Sequence, residues 1–424
     1  MALPSPVVGG AAGEAGGTAR PRFEVADVVR AYGQEYLGTH ATSMEQRKVL
    51  RAIATCRTAA LGGHVEQCEG CSYRRIAYNS CRNRHCDKCQ GKERAQWMAA
   101  EQAMLLPVPY FHNVFTLPHA LNPLIRVNRR FLLGLLFGIA ARTLRSFALD
   151  PQHLGAELAV TMALHTWGQT LQEHYHVHCV VSGGGLSIDG STWISLPKRK
   201  KRRKNKRRRP FLFHVKALSK VFRAKFIAAL ERARRNGKLT YIGHSAPLAQ
   251  DTAWNKLTDK LWGKDWVVYS KAPCGGPEQV LKYLSRYTHR IAISNRRILS
   301  VSDAIVRFEY RDYADGYKRK VLPVAATEFL RRFLQHVLPR GFMRIRHYGI
   351  TANCARGEKL ARARQLLADS HNQPAPEPDT ALSAPPACTE TPQTDSAATR
   401  CPACGGLMRV IEVLAPTPFP YDTS

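Results

Sequence analysis

Three groups of residues in this chain have side chains and spacings that could do chemistry. Cys68-x-x-Cys71 and Cys86-x-x-Cys89 are two knuckles with 14 residues between them. That separation can bring four thiolates to one tetrahedral Zn²⁺. Cys56, His64, Cys81 and His85 lie close by, so a second zinc, or exchange of one of these, Cys81 and His85 foremost, for a knuckle cysteine, stays open. A zinc held by four thiolates has no position left for water and is structural. Cys401-x-x-Cys404 is half of such a site, and Cys388 is the only other cysteine in that tail. Metal binding there requires ligands from elsewhere.

The second group is HYHVHC, in which His174, His176 and His178 alternate. On a strand all three face one side, with neighbours about 6.6 Å apart. Adjacent members can share an ion, whereas His174 and His178 are too far apart, so His176 and His178 are the better pair. Val177, Cys179 and Val181 then face the core. The third group is Tyr283 and Tyr287, one helical turn apart, beside a cationic stripe of Lys282, Arg286 and Arg290. Each group has a plain alternative: hydrogen-bonded histidines, or tyrosines packed in a core.

Their combination favours chemistry. A phenol with pKa near 10 is a poor nucleophile at neutral pH. It can attack a phosphodiester when a metal polarises the phosphate and cations absorb the developing charge. The resulting phosphotyrosine ester retains the bond energy, so rejoining needs no nucleotide cofactor.

The elements that must position these groups read as follows. Residues 1–22 are Gly/Ala-rich and expected to be disordered. Residues 23–106 read as helix plus zinc-binding module, and residues 107–365 as the catalytic domain. Within the latter, 109–118 and 158–164 read as strands and 123–149 as one long helix. HYHVHCVVSGGGLSI reads as a strand, a glycine turn and a return strand. Residues 215–235, 277–290 and 328–338 read as helices, and 292–312 contain a hairpin. Residues 366–424 read as a flexible tail carrying the last C-x-x-C. The fold class is α+β: an antiparallel sheet core with helices, preceded by a small zinc module.

The chain has 63 Lys+Arg against 32 Asp+Glu, a net charge of +31. Such a balance calls for a polyanionic partner. Eleven of the twelve residues from Lys198 to Arg209 are basic. This run, in a loop over 197–210, includes Lys198, Arg199, Lys200, Lys201, Arg202 and Arg203 and is expected to contact DNA phosphate without sequence choice. Arg74, Arg75, Arg82, Arg84, Lys88 and Lys92 intersperse the cysteines, and Trp167, Trp193, Trp254, Trp262 and Trp266 are candidates for stacking on bases or packing in the core. The longest apolar run, Phe131–Ala141, is too short to span a bilayer. The N-terminus lacks the basic and apolar regions of a secretory signal. Clustered C-x-x-C cysteines fit a reducing compartment, so the cytoplasm is the expected location.

Three segments also carry a family likeness. HTWGQTLQEHYHVHCVVSGGGL followed by VLKYLSRYTHRIAISNRRIL resembles the two-tyrosine, HUH-type rolling-circle transposases of the insertion-sequence family numbered ninety-one. SCRNRHCDKCQ is similar to that family's zinc-binding domain. The likeness runs from about residue 23 to residue 363. It implies His176 and His178 as ligands of Mg²⁺ or Mn²⁺, and Tyr283 and Tyr287 as nucleophiles. It also implies single-stranded DNA nicked at the element's ends, 5′-phosphotyrosine intermediates and rolling-circle strand transfer on a bacterial nucleoid. The implied fold is an RRM-like sheet with the histidine strand central. Tyr175 stands where the family pattern has proline, and a third metal ligand is expected among His165, Glu173, His174 and His289. A plasmid replication initiator or relaxase using the same chemistry, a non-catalytic zinc DNA-binding protein and a three-carboxylate transposase are the rival readings.

Overall fold

The structure, a computed structural model, describes residues 21–196, 212–274, 292–371 and 400–419. The chain opens with α1 (Val25–Thr39) and α2 (Met44–Thr55), then the hairpin β1 (Gly63–Cys68) and β2 (Arg74–Tyr78), then α3 (Gln90–Gln102). Ser43 starts α2 by the chemistry expected of an N-cap. Its hydroxyl accepts from the Gln46 N–H, and the Gln46 side chain accepts from the Ser43 N–H.

The central sheet takes β3 (Tyr110–Thr116), β4 (Ala156–Trp167), β5 (Glu173–Ser187), β6 (Trp193–Ser195), β7 (Val268–Cys274) and β11 (Ile345–Gly349). Its order is β11-β4-β5-β3-β7 with β6 beside β5, and every pairing is antiparallel. The histidine strand β5 is therefore central. Helices α4 (Asn122–Val127), α5 (Arg129–Leu149), α6 (Val215–Arg235) and α7 (Asp251–Trp262) complete this part of the chain. Strand alternation divides the sheet cleanly. Phe111 and Phe115, Val160, Met162 and Leu164, and Tyr175, Val177, Cys179 and Val181 share one core with α5 and α6. Burying side chains such as Phe137, Phe222 and Phe226 there contributes roughly 1.5–3 kcal/mol each.

By length and composition α5 is apolar enough to cross a membrane. It is instead a core helix, with Leu132, Leu133, Leu136, Phe137 and Ile139 buried. The expected single helix over 123–149 is broken at Asn128, which exchanges two hydrogen bonds with the Thr240 backbone.

A second core joins the first helices to residues 292–337. A separate three-stranded sheet is formed by β8 (Ile298–Ser302), β9 (Ile305–Asp312) and β10 (Lys318–Ala325), followed by α8 (Ala326–Leu334). Val28 and Leu50 from α1 and α2 pack with Phe308, Phe329, Cys86 and Cys89 in one apolar cluster. This core crosses the expected boundary near residue 106. Helix α9 (Arg356–His371) covers the end of the other sheet face through Leu360, Ala363 and Leu367.

Two further expectations are overturned. Gly183, Gly184 and Gly185 do not turn the chain; β5 runs straight through them to Ser187. A Cβ at Gly185 would collide with the Glu157 carbonyl of β4, and one at Gly183 would lie 2.7 Å from the Pro109 carbonyl. The glycines admit neighbouring backbones, and the turn falls at Gly190, where φ is +70°. The last segment is not simply a flexible tail either. β12 (Met408–Leu414) pairs antiparallel with β1, giving a sheet of order β12-β1-β2.

Candidate functional site

The pairing of β4 with β5 sets the candidate site. His165 lies opposite His176, and Ala163 opposite His178, on the face away from the α5–α6 core. The ligand atoms of His165, His176 and His178 lie within 4.8 Å of one another, and all three side chains are buried. The His176 Nε2 and His178 Nε2 atoms are 3.1 Å apart. His176 Nδ1–H donates to the His174 carbonyl at 2.9 Å, which leaves Nε2 as a lone pair. His178 Nδ1 is 2.9 Å from His112 Nε2 on β3, and the rings stack. His178 either donates its Nε2–H to His176 Nε2 or, with its Nδ1–H turned to His112, leaves two facing acceptor nitrogens that a cation would bridge. Burial and neighbouring His165 and His174 push the His176 pKa well below its usual value, so the ring is neutral and competent to coordinate.

Outer contacts fix these rings. Trp167 stacks on His165 at 4.6 Å between centroids. His336 sits edge-on to Trp167, and its Nδ1 is 3.1 Å from the Thr166 hydroxyl. The other expected third ligands are committed elsewhere. Glu173 pairs with Arg126 at 2.6 Å and accepts from the Tyr175 hydroxyl at 2.7 Å. His174 meets His119 at 3.1 Å. His289 lies outside the described residues, as do Tyr283, Tyr287, Lys282, Arg286, Arg290 and the run containing Lys198, Arg199, Lys200, Lys201, Arg202 and Arg203. Tyr175, at the family's proline position, points into the core and is fully buried.

The sulfur atoms are arranged differently from the expected single site. Cys86 and Cys89 are grouped with Cys56 and Cys81; Cys68 and Cys71 are grouped with Cys401 and Cys404. In the first group Cys56–Cys89 is 3.4 Å, Cys81–Cys89 3.6 Å and Cys56–Cys86 3.6 Å. The two knuckles sit apart because Cys68-x-x-Cys71 turns the β1–β2 hairpin, while Cys86-x-x-Cys89 leads into α3 in the α1–α2 core. His85 joins neither group. Its backbone N–H donates to Asn83, and burial with the nearby Arg84 lowers its pKa to about 3. His64 instead pairs with Glu66 at 3.1 Å.

Several interspersed cations are structural. Arg75 pairs with Glu66, Lys88 with Glu24, and Arg84 donates to the carbonyls of Phe342 and Pro339. Trp254 and Trp266 are core residues, whereas Trp262 is half exposed under the Arg223 guanidinium.

Sequence reasoning left His165 unselected among four candidates, missed His112, and named Trp167 for base stacking or core packing without its place on the His165 ring. The available signal was hairpin symmetry: β4 and β5 fold back about residues 170 and 171, which brings 165 opposite 176. The pairing of Cys68 and Cys71 with Cys401 and Cys404 had no local signal.

Comparison with known proteins accords with this geometry. Residues 28–117 match the family described as "Transposase zinc-binding domain", of the IS91 type, and residues 159–359 match the Y2 family described as "Putative transposase". A protein of Sinorhizobium fredii named "Putative transposase y4qJ" is 46% identical over 413 residues, covering 96% of this chain and all of the relative. The "Transposase for insertion sequence element IS801" of Pseudomonas savastanoi pv. phaseolicola is 29% identical over 340 residues, 78% of this chain and 76% of that one. No solved structure matches. With a zinc-binding module followed by the transposase domain, and a relative nearly half identical from end to end, this chain belongs to the IS91-type transposases.

Proposed function

We propose that this transposase nicks single-stranded DNA at the ends of its element and transfers the strand through 5′-phosphotyrosine intermediates. The observation that carries the reading is the convergence of His165, His176 and His178 on one point of the central sheet. The three imidazoles are the first-choice ligands for a divalent ion, with water and the DNA phosphate completing its shell. An all-nitrogen protein set favours Mn²⁺ over Mg²⁺, which prefers oxygen. Such an ion would polarise the scissile phosphate and offset its charge.

The chain's own residues do the rest. The Oη of Tyr283 or Tyr287 attacks phosphorus, the P–O3′ bond breaks, the phenol proton passes to solvent, and the departing 3′ oxygen takes up a proton. Lys282, Arg286 and Arg290 lie beside the tyrosines in sequence and would bind phosphate oxygens. With two tyrosines, one can hold a cleaved end while the other opens a second strand. The group of Cys56, Cys86 and Cys89, all buried, with the partly exposed Cys81 has the donors of a structural zinc and no open position, so it would hold the fold rather than react.

The test is covalent trapping on labelled single-stranded DNA carrying the element's own ends, with Mn²⁺ or Mg²⁺. Wild type should form a DNA–protein adduct that requires metal and vanishes in Tyr283→Phe/Tyr287→Phe. The two single variants show whether both tyrosines work. Binding without an adduct on a cognate end, or an adduct that survives the double substitution, overturns the reading.

A further inference from the structure

We infer that the chain has a second zinc site, split between its two ends, in which Cys401 and Cys404 complete a tetrathiolate begun by Cys68 and Cys71. Residues 28–117 contain six cysteines, of which Cys56, Cys81, Cys86 and Cys89 already form a full set. Cys68 and Cys71 are left over as half a site. The other half arrives from more than 300 residues later.

Distances fit a metal and not disulfides. Cys68 Sγ is 3.4 Å from Cys404 Sγ, and Cys71 Sγ is 3.7 Å from Cys401 Sγ. Four sulfurs at about 2.3 Å from one zinc stand about 3.8 Å apart, whereas a disulfide requires about 2.05 Å. The surrounding backbone is shaped to hold sulfur. Gly70 N–H donates to Cys68 Sγ at 3.3 Å, and Glu69 N–H donates across to the Leu407 carbonyl at 2.9 Å. A Cβ on Gly406 would lie 3.2 Å from Cys68 Sγ and 3.3 Å from Cys404 Sγ, so any side chain here would press on two of the sulfurs. Gly405, at φ +75°, makes the turn that presents Cys404.

Energetics point the same way. The strand that docks, β12, keeps most of its side chains in solvent, Val410, Ile411 and Val413 among them. A small sheet with so little apolar burial is marginal by itself. Four apposed thiols supply only weak S–H···S hydrogen bonds, whereas four thiolates on zinc bind strongly. The metal therefore fastens the segment carrying Cys401, Cys404 and β12 to the module near the start of the chain.

The test uses the full chain. Purified wild type should contain two zinc ions, and Cys401→Ser/Cys404→Ser one. Alkylation of zinc-loaded wild type, read by mass spectrometry, gives a measure independent of whether variants fold. Cys404 is exposed like Cys354, which belongs to neither group. If zinc holds it, Cys404 should react at least about tenfold more slowly than Cys354. On graded chelation, Cys68, Cys71, Cys401 and Cys404 should become reactive together. One zinc in wild type, two in the double variant, or Cys401 and Cys404 reacting at the rate of Cys354 would overturn the inference.

Discussion

At the scale of single residues, the candidate centre is defined by a histidine whose importance depends on its strand partner. His165 sits directly across from His176 and under the Trp167 ring. His165→Ala should weaken Mn²⁺ binding, read by electron paramagnetic resonance, and lower single-turnover nicking at least 100-fold while leaving DNA affinity intact. Trp167→Leu, which frees the ring without removing it, should cost about 10-fold, the smaller end of what supporting contacts contribute. Equal losses in both variants would mean that Trp167 holds the strand rather than the ligand. Farther out, His336 makes a pH prediction. Burial lowers its pKa to about 3, against about 6.5 when unfolded. The unfolded chain therefore binds the extra proton, so stability falls as pH drops from about 6.5 towards 3 and is unaffected above that window. At pH 5 this one group costs roughly 2 kcal/mol. Urea midpoints at pH 7.5 and pH 5 should differ less in His336→Gln than in wild type.

At the scale of elements, strands and helices with clear periodicity were legible and those shaped by neighbours were not. β3 and α6 fall within a residue or two of their expected spans, because alternation and the 3.6-residue period belong to the segment itself. The triple glycine was misread because glycine marks both a turn and a close backbone approach, and only the facing strand decides between them. That facing strand is β4, whose Glu157 carbonyl occupies the space of a Cβ at Gly185. Gly185→Ala should therefore separate β4 from β5 and cost about 1–3 kcal/mol, as overpacking does. Gly190→Ala, with open space around it, should cost less and act only through its positive φ. Comparing the two by chemical denaturation separates crowding from backbone preference. Should Gly185→Ala prove neutral, the glycines would have no part in seating the β4–β5 pair that carries all three histidines.

At the scale of the whole molecule, long-range assembly was the least legible property. Nothing near Cys401 indicates Cys68, and nothing in α1 indicates that it shares a core with α8 and β9, because such contacts leave no periodic mark. Charge is the exception, since it sums over the chain wherever the residues lie. The excess of 63 Lys+Arg over 32 Asp+Glu predicts DNA binding with steep salt dependence. Many described cations are already engaged, Arg126 with Glu173 and Lys359 with Glu157 for example, so part of the excess serves the fold. The run from Lys198 to Arg209 has no acidic residue within it to pair with. Replacing Lys198, Arg199, Lys200, Lys201, Arg202 and Arg203 by Gln should reduce the slope of log K against log salt on single-stranded DNA by up to about 4. Preference for the element's end over unrelated DNA of equal length should remain, because phosphate contacts position without specifying. An unchanged slope would place the electrostatic contact elsewhere on the molecule. Loss of end preference at constant salt would mean instead that the run takes part in reading sequence.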